Sequence, residues 1–192
     1  MKIIGLVCSP RQGGNTQILM EEALAAAREA GAQTELIFVP DLDIAPCDAC
    51  GSCEESGRCK NNDDMDIITQ SLEDADGMIF GTPVYFINVT AQAKTVIDRT
   101  YAYIRTGKLK GKVAAALIAA RQIGAGQVLS LLYTFFAVHR MIIAGGGIGY
   151  GREIGEVRTG PGGAPGFTAL QEARSVGRNV AAMIKKFKGE SA

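Results

Sequence analysis

Tryptophan is absent from this sequence of 192 residues, histidine occurs once, and six prolines stand against 24 glycines. The lone histidine, His139, lies in an apolar passage with no nucleophile or carboxylate beside it, so it reads as structural rather than as an acid–base catalyst. Charge of one sign is missing as well, because 20 basic and 20 acidic side chains cancel to a formal net charge of zero. That balance gives no electrostatic reason to bind nucleic acid or an anionic membrane. No apolar stretch reaches the ~18 uninterrupted residues of a membrane span. The six-residue run Ile3–Cys8 behind Met1-Lys2 is too short for a secretory signal, which points to the cytoplasm. Also missing are G-x-G-x-x-G, G-x-x-x-x-G-K-[ST] and G-x-S-x-G, which removes the dinucleotide fingerprint, the nucleotide P-loop and the serine-hydrolase elbow. No catalytic side chain is assigned.

Apolar runs alternate with helix patterns along the chain. Ile3–Cys8, Thr34–Val39, Gly77–Thr82, Val113–Ala120 and Met141–Ala144 read as buried strands. Helix patterns fall between them, at Thr16–Ala30 closed by Gly31, and at Met65–Leu72 capped by Asp63 or Asp64. Two more run from Thr90 to Tyr103, closed by Gly107, and from Gln127 to Val138. Gly145 to Gly166 reads as a long surface loop, and Phe167–Phe187 as the closing helix. Strands separated by helices make a parallel sheet covered on both faces. Five strands with right-handed crossovers favour the order 2-1-3-4-5 over the six-stranded Rossmann order. The expected fold class is α/β, a three-layer sandwich in one domain over residues 1–192, with a cysteine-rich loop at 40–63 and the glycine-rich loop at 145–166.

In such sheets ligands bind outside the carboxyl ends of the strands, where strand order reverses. After the first strand, Ser9-Pro10-Arg11-Gln12-Gly13-Gly14-Asn15-Thr16 leads into a helix. Its hydroxyls, guanidinium and glycine-freed amides at a helix N-terminus suit a phosphate monoester, with ordinary capping as the other reading. After the third, Thr82-Pro83-Val84-Tyr85-Phe86-Ile87-Asn88 sets two aromatics beside backbone donors and acceptors, which suits an isoalloxazine ring. The other reading is that Tyr85 and Phe86 plug the sheet edge. After the fourth, Ala119-Ala120-Arg121-Gln122-Ile123-Gly124 is small and pliable enough to approach the same ring.

Cys47, Cys50, Cys53 and Cys59 fall within thirteen residues. In a reducing compartment such a cluster reads as metal-binding or redox-active. Cys-x2-Cys-x2-Cys lets one loop wrap three corners of a cubane cluster, and Gly57 lets the chain turn to bring Cys59 in as the fourth. Free or redox-active thiols, a four-thiolate zinc site and a disulfide are the other readings. Cys8 reads as a small buried hydrophobe. Asp41, Asp43, Asp48, Glu54, Glu55, Asp63, Asp64 and Asp66 crowd the same loop, and their charge would hold a cluster at low potential.

The set Ser9-Pro10-Arg11…Gly14-Asn15-Thr16, the four cysteines followed by Asp63-Asp64-Met65, Ala75-Asp76-Gly77…Thr82-Pro83-Val84-Tyr85-Phe86 and Lys94…Asp98-Arg99 resembles the iron–sulfur flavoprotein branch of the NADPH-dependent FMN reductase family. The resemblance implies a flavodoxin-like fold, bound FMN and a [4Fe–4S] cluster. It implies that Ser9, Arg11, Asn15 and Thr16 surround the FMN phosphate, with Gly13 and Gly14 in the same turn. Pro83, Val84, Tyr85 and Phe86 would line the flavin, with Asn88, Ala120, Arg121 and Gly124 beside them. Cys47, Cys50, Cys53 and Cys59 would ligate the cluster.

The expected function is that of an FMN-dependent oxidoreductase joining a low-potential donor such as ferredoxin, or NAD(P)H, to a small-molecule acceptor. An NAD(P)H-dependent FMN or quinone reductase without a cluster, and a non-catalytic flavin- or zinc-binding redox sensor, remain as alternatives. The cysteine loop leaves the second strand while the ring belongs over the third and fourth, several strand widths of ~4.8 Å away. That offset predicts a homodimer or homotetramer with electron transfer across a subunit interface, and residues 145–166 as its arm or lid.

Overall fold

A strand that is apolar on both faces is stable only with helices packed on either side. In the computed structural model, which describes residues 1–159 and 168–189, the clearest example is β4 (Val113–Ala120), buried along its whole length. Its neighbours are β3 (Gly77–Pro83) and β5 (Ile142–Tyr150), and beyond β3 lie β1 (Lys2–Val7) and β2 (Gln33–Phe38). The order β2-β1-β3-β4-β5, with every pair parallel, is the expected flavodoxin-like arrangement.

Alternate residues of each strand face two separate apolar layers. On one side Ile3, Val7 and Leu117 meet α1 (Asn15–Glu29) and α7 (Ala169–Lys188) through Ile18, Leu19, Ala173 and Val176. On the other, Ile4, Leu6 and Phe80 meet α3 (Met65–Asp74), α4 (Ala91–Arg99) and α6 (Ala125–Val138) through Ile68, Val96, Val128 and Leu132. Two short helices complete the set, α2 (Cys53–Ser56) in the cysteine loop and α5 (Ala102–Thr106) after α4. Thr168 opens α7 with a reciprocal cap, its hydroxyl accepting from Gln171 N while the Gln171 side chain accepts from Thr168 N.

Two expectations change. Residues 145–150, read above as loop, form most of β5. Their glycines answer to packing: a Cβ at Gly146 would stand 2.7 Å from Leu129 of α6, and one at Gly149 2.7 Å from Leu19 of α1. The helices therefore lie closer to this strand than a side chain would allow. Gly160 to Gly166 and Phe167 lie outside the described residues, and α7 begins at Ala169. The single helix expected over Thr90–Tyr103 is two, α4 and α5, with the break at Thr100–Tyr101. There the Thr100 hydroxyl donates to Ile97 O at 2.6 Å, a local bond that competes with helix continuation.

Gly177 marks the tightest helix crossing, since a Cβ there would fall 1.9 Å from the Ala23 carbonyl oxygen. Gly177→Ala is expected to destabilise the fold by about 3 kcal/mol in chemical denaturation, outweighing the ~1 kcal/mol that alanine gains in an unconstrained helix. Equal or greater stability would show that α1 and α7 can separate freely.

Candidate functional site

The carboxyl ends of β1, β3 and β4 are adjacent, so the turns that follow them converge. Thr90, buried at the N-cap of α4, holds two of them in place: its hydroxyl donates to Cys8 O at 2.6 Å and accepts from Ala93 N. The turn after β1 closes through Gly14 N to Arg11 O at 3.1 Å and Arg11 N to Ser9 Oγ at 3.3 Å. Gly13 takes a left-handed conformation, φ 66°, and its N–H donates to Gln17 Oε1.

The helix N-cap is Gly14, which has no side chain to cap with, so the amides of Asn15, Thr16 and Gln17 lack helical acceptors. Thr16 is buried, and its Oγ1 has no hydrogen-bond partner. Open amides beside an unpartnered buried hydroxyl fit an anion the size of a phosphate. Ser9 is buried at this turn and Arg11 is exposed. The Asn15 side chain is otherwise engaged, donating to Glu153 O at 2.9 Å and accepting from Gly155 N at 2.8 Å. It therefore clasps the segment after β5 to the start of α1, and its backbone amide is what remains for an anion.

The turn after β3 is a two-residue reversal. Tyr85 and Asn88 exchange backbone hydrogen bonds of 2.9 Å, while Phe86 (φ 49°) and Ile87 (φ 61°) occupy the left-handed region that usually selects Asn-Gly. Phe86 is fully exposed and Tyr85 is exposed too, so neither plugs the sheet edge. Pro83 ends β3, Val84 N donates to Ala119 O, and the Asn88 side chain accepts from Val89 N. Gly124 (φ 91°) lies beneath this turn: a Cβ there would stand 3.0 Å from Ile87 Cα and from Val84 Cγ1. Ala120 is buried and Arg121 exposed above it. The structure thus brings the three expected turns to one end of the sheet, with Phe86, Ile87 and Ile123 forming an exposed apolar tip.

The cysteine loop is closed at its base by one buried ion pair. Arg99, on the same face of α4 as Ala93 and Val96, places Nη1 2.6 Å and Nη2 2.9 Å from the two Asp63 carboxylate oxygens. Nη1 also donates to Ala45 O at 2.7 Å, and Asp63 accepts from Ala45 N and Met65 N. The guanidinium and these two amides hold the Asp63 carboxyl below the usual carboxylate range. Both stems of the loop meet at this point. The sequence reading missed the clamp, although an arginine at apolar helix spacing was its visible trace.

All four cysteines line one cavity of about 680 Å³ between the loop and α4, α5 and α6, walled by Ile97, Tyr101, Leu131, Phe135 and Val138. Cys47 and Cys50 are exposed, and Cys53 and Cys59 are half-buried. Burial pushes the Cys53 thiol up, and the neighbouring Cys59, Cys47 and Cys50 sulfurs push the same way. Among the described residues, no group of three His, Cys, Asp or Glu is gathered as around a single metal ion. Four thiolates are the donor set of an iron–sulfur cluster, and all four of these cysteines line the one cavity.

The cavity corrects the expected offset. The loop crosses to the α4–α6 side, so its distance from the strand ends runs down the helices, roughly 9–20 Å along α6 from Ala125 to the span Leu131–Val138. The acidic surroundings are also partly neutralised, with Asp48 beside Lys60, Glu54 beside Arg105 and Asp63 beside Arg99. His139 is buried, 3.1 Å from Thr100 Oγ1 and edge-on to Phe135, and burial favours its neutral form. Cys8 is fully buried, as expected.

Residues 1–153 match the family described as NADPH-dependent FMN reductase. An iron-sulfur flavoprotein of Methanocaldococcus jannaschii is 39% identical over 98% of this chain and 100% of its own length. One from Methanosarcina thermophila is 38% identical over 76% of this chain and 78% of its own. The solved structure of the flavodoxin, WrbA-like protein from Agrobacterium tumefaciens superposes with a TM-score of 0.64 at 18% identity, over 96% of this chain and 98% of that one.

Thr16→Val removes the unpartnered hydroxyl at nearly constant volume. Stability of the cofactor-free protein is expected to hold or rise, while FMN affinity in a fluorescence titration falls by about tenfold to a hundredfold, the worth of one hydrogen bond to a charged group. Unchanged affinity would remove Thr16 from the anion site.

Proposed function

The chain belongs to the NADPH-dependent FMN reductase family of FMN-dependent oxidoreductases, in the branch of its iron–sulfur flavoprotein relatives, and on that premise we propose that it transfers electrons using both FMN and a [4Fe–4S] cluster. The donor is a low-potential carrier such as ferredoxin, or NAD(P)H, and the acceptor is a small molecule. The observation that carries the reading is the set of four cysteines facing one cavity, on a fold whose strand ends keep an anion site open. Bound FMN supplies hydride and single-electron chemistry, and the cluster supplies single-electron chemistry.

The residues bind and orient. The open amides of α1, Thr16 Oγ1, Ser9, Arg11 and the backbone of Gly13, Gly14 and Asn15 hold the phosphate. Pro83, Val84, Tyr85, Phe86 and Asn88, with Ala120, Arg121 and Gly124, shape the ring site. Cys47, Cys50, Cys53 and Cys59 hold the cluster. No side chain need act as an acid or base.

Two exposed apolar regions support transfer between subunits of a homodimer or homotetramer. One is the tip at Phe86, Ile87 and Ile123, and the other is the cavity rim at Tyr101, Ile104 and Val138. Seating the tip of one protomer near the rim of another shortens a path that runs down α6 within one chain. The working compartment is the cytoplasm, and no nucleic acid or membrane takes part. Among the described residues, no helix is long and apolar enough to cross a membrane.

Anaerobic purification followed by flavin, iron, sulfide and zinc assays on one sample tests the reading. One FMN with about four iron and four sulfide per chain is expected, and Cys53→Ser should lose the iron and keep the flavin. FMN without iron, with rapid NAD(P)H oxidation, would replace this reading by a cluster-free reductase, and zinc without flavin by a redox sensor. Ile123→Asp, at the exposed tip but outside the residues that shape the ring site, should dissociate the assembly in sedimentation. A variant that remains fully assembled would exclude the tip from the interface.

A further inference from the structure

Among the described residues, two buried side-chain nitrogen or oxygen atoms have no hydrogen-bond partner. One is Thr16 Oγ1 at the anion site, and the other is Arg99 Nε beside the cysteine loop. Arg99 is 3% exposed, and Asp63 and Ala45 engage its Nη1 and Nη2. An unmet buried donor is destabilising, so a free Nε–H here asks for an acceptor that arrives with another group. The cysteine nearest in sequence to this clamp is Cys59, four positions before the Asp63 that Arg99 holds, and a negative charge on its sulfur would favour the cation. A thiol is a weak acceptor, whereas an anionic sulfur is a strong one. Cys50 has Lys60 near it, but that ammonium is half exposed and paired with Asp48, so Cys59 is the cysteine with a buried cation.

We propose that Arg99 is a positioning residue for the Cys59 corner of the cluster: its Nε–H donates to the Cys59 sulfur once that sulfur is an anionic ligand, and the buried guanidinium makes the cluster easier to reduce. Hydrogen bonds to the sulfurs and nearby charge are the protein's means of setting a cluster's potential. Arg99 thereby opposes the acidic side chains around the loop and sets one corner apart from the other three. The inference rests on the cluster reading above.

The test compares wild-type protein with Arg99→Lys, Arg99→Gln and Asp63→Asn after anaerobic reconstitution. Cluster and FMN potentials are read in one titration, and iron–thiolate stretches by resonance Raman. Arg99→Gln should lower the cluster's reduction equilibrium by about tenfold, 59 mV for one electron, and Arg99→Lys by less in the same direction. Asp63→Asn removes a negative charge and should raise it. The FMN potential should stay constant throughout, and the Raman shift should appear in both Arg99 variants. Mere loosening of the loop would instead move Arg99→Gln and Asp63→Asn the same way, and that result overturns the proposal. So does a wild-type potential in Arg99→Lys, the variant that carries the test if Arg99→Gln does not fold. Wild-type protein that takes up FMN but no iron or sulfide would defeat the cluster reading itself, and this proposal with it.

Discussion

The arrangement depends on one constraint: five parallel strands, the central ones apolar on both faces, must be covered twice. Each crossover returns the chain through a helix, so the carboxyl ends of β1, β3 and β4 open side by side. The turn that exposes the α1 amides, the strained reversal at Phe86-Ile87 and the Gly124 turn are neighbours for this reason alone. Burial also determines what holds them there. Thr90 bonds the end of β1 to the start of α4 in a region with no water to compete, so the first two turns keep a fixed spacing.

Incompleteness in an otherwise satisfied interior is informative. A folded chain rarely leaves buried polar groups unpaired, because no water replaces the lost bond. Here the hydroxyl of Thr16 and the Nε of Arg99 are both left so. They lie on opposite sides of the sheet, one at the anion site and one at the cysteine loop. Among the described residues these are the two unmet hydrogen-bonding demands, and each stands at one of the two sites proposed above.

Strand order and the three converging turns were legible because they follow from apolar runs, helix patterns and short connections. The cysteine spacing was legible as a local pattern. β5 was not, because its glycines serve the approach of Leu129 and Leu19, and close approach leaves no mark in composition. The break between α4 and α5 turns on a single hydroxyl at Thr100 that helix propensity does not register. The lateral placing of the cysteine loop failed for a long-range reason. Arg99 and Asp63 are 36 positions apart, and their pairing carries the loop from the edge of β2 to the face of α4.

That pairing closes the cysteine segment into a ring with a knot at its base, while Glu54, bonded to Tyr101 and Arg105, ties its far side to α5. Residues between Ala45 and Asp63 can lengthen or shorten while the knot stays tied, since doubling a loop costs only about 0.6 kcal/mol in closure entropy. The strand ends would not register the change. The segment is in this sense a cartridge: evolution can exchange its residues, the four cysteines included, and leave an intact flavodoxin-like fold behind.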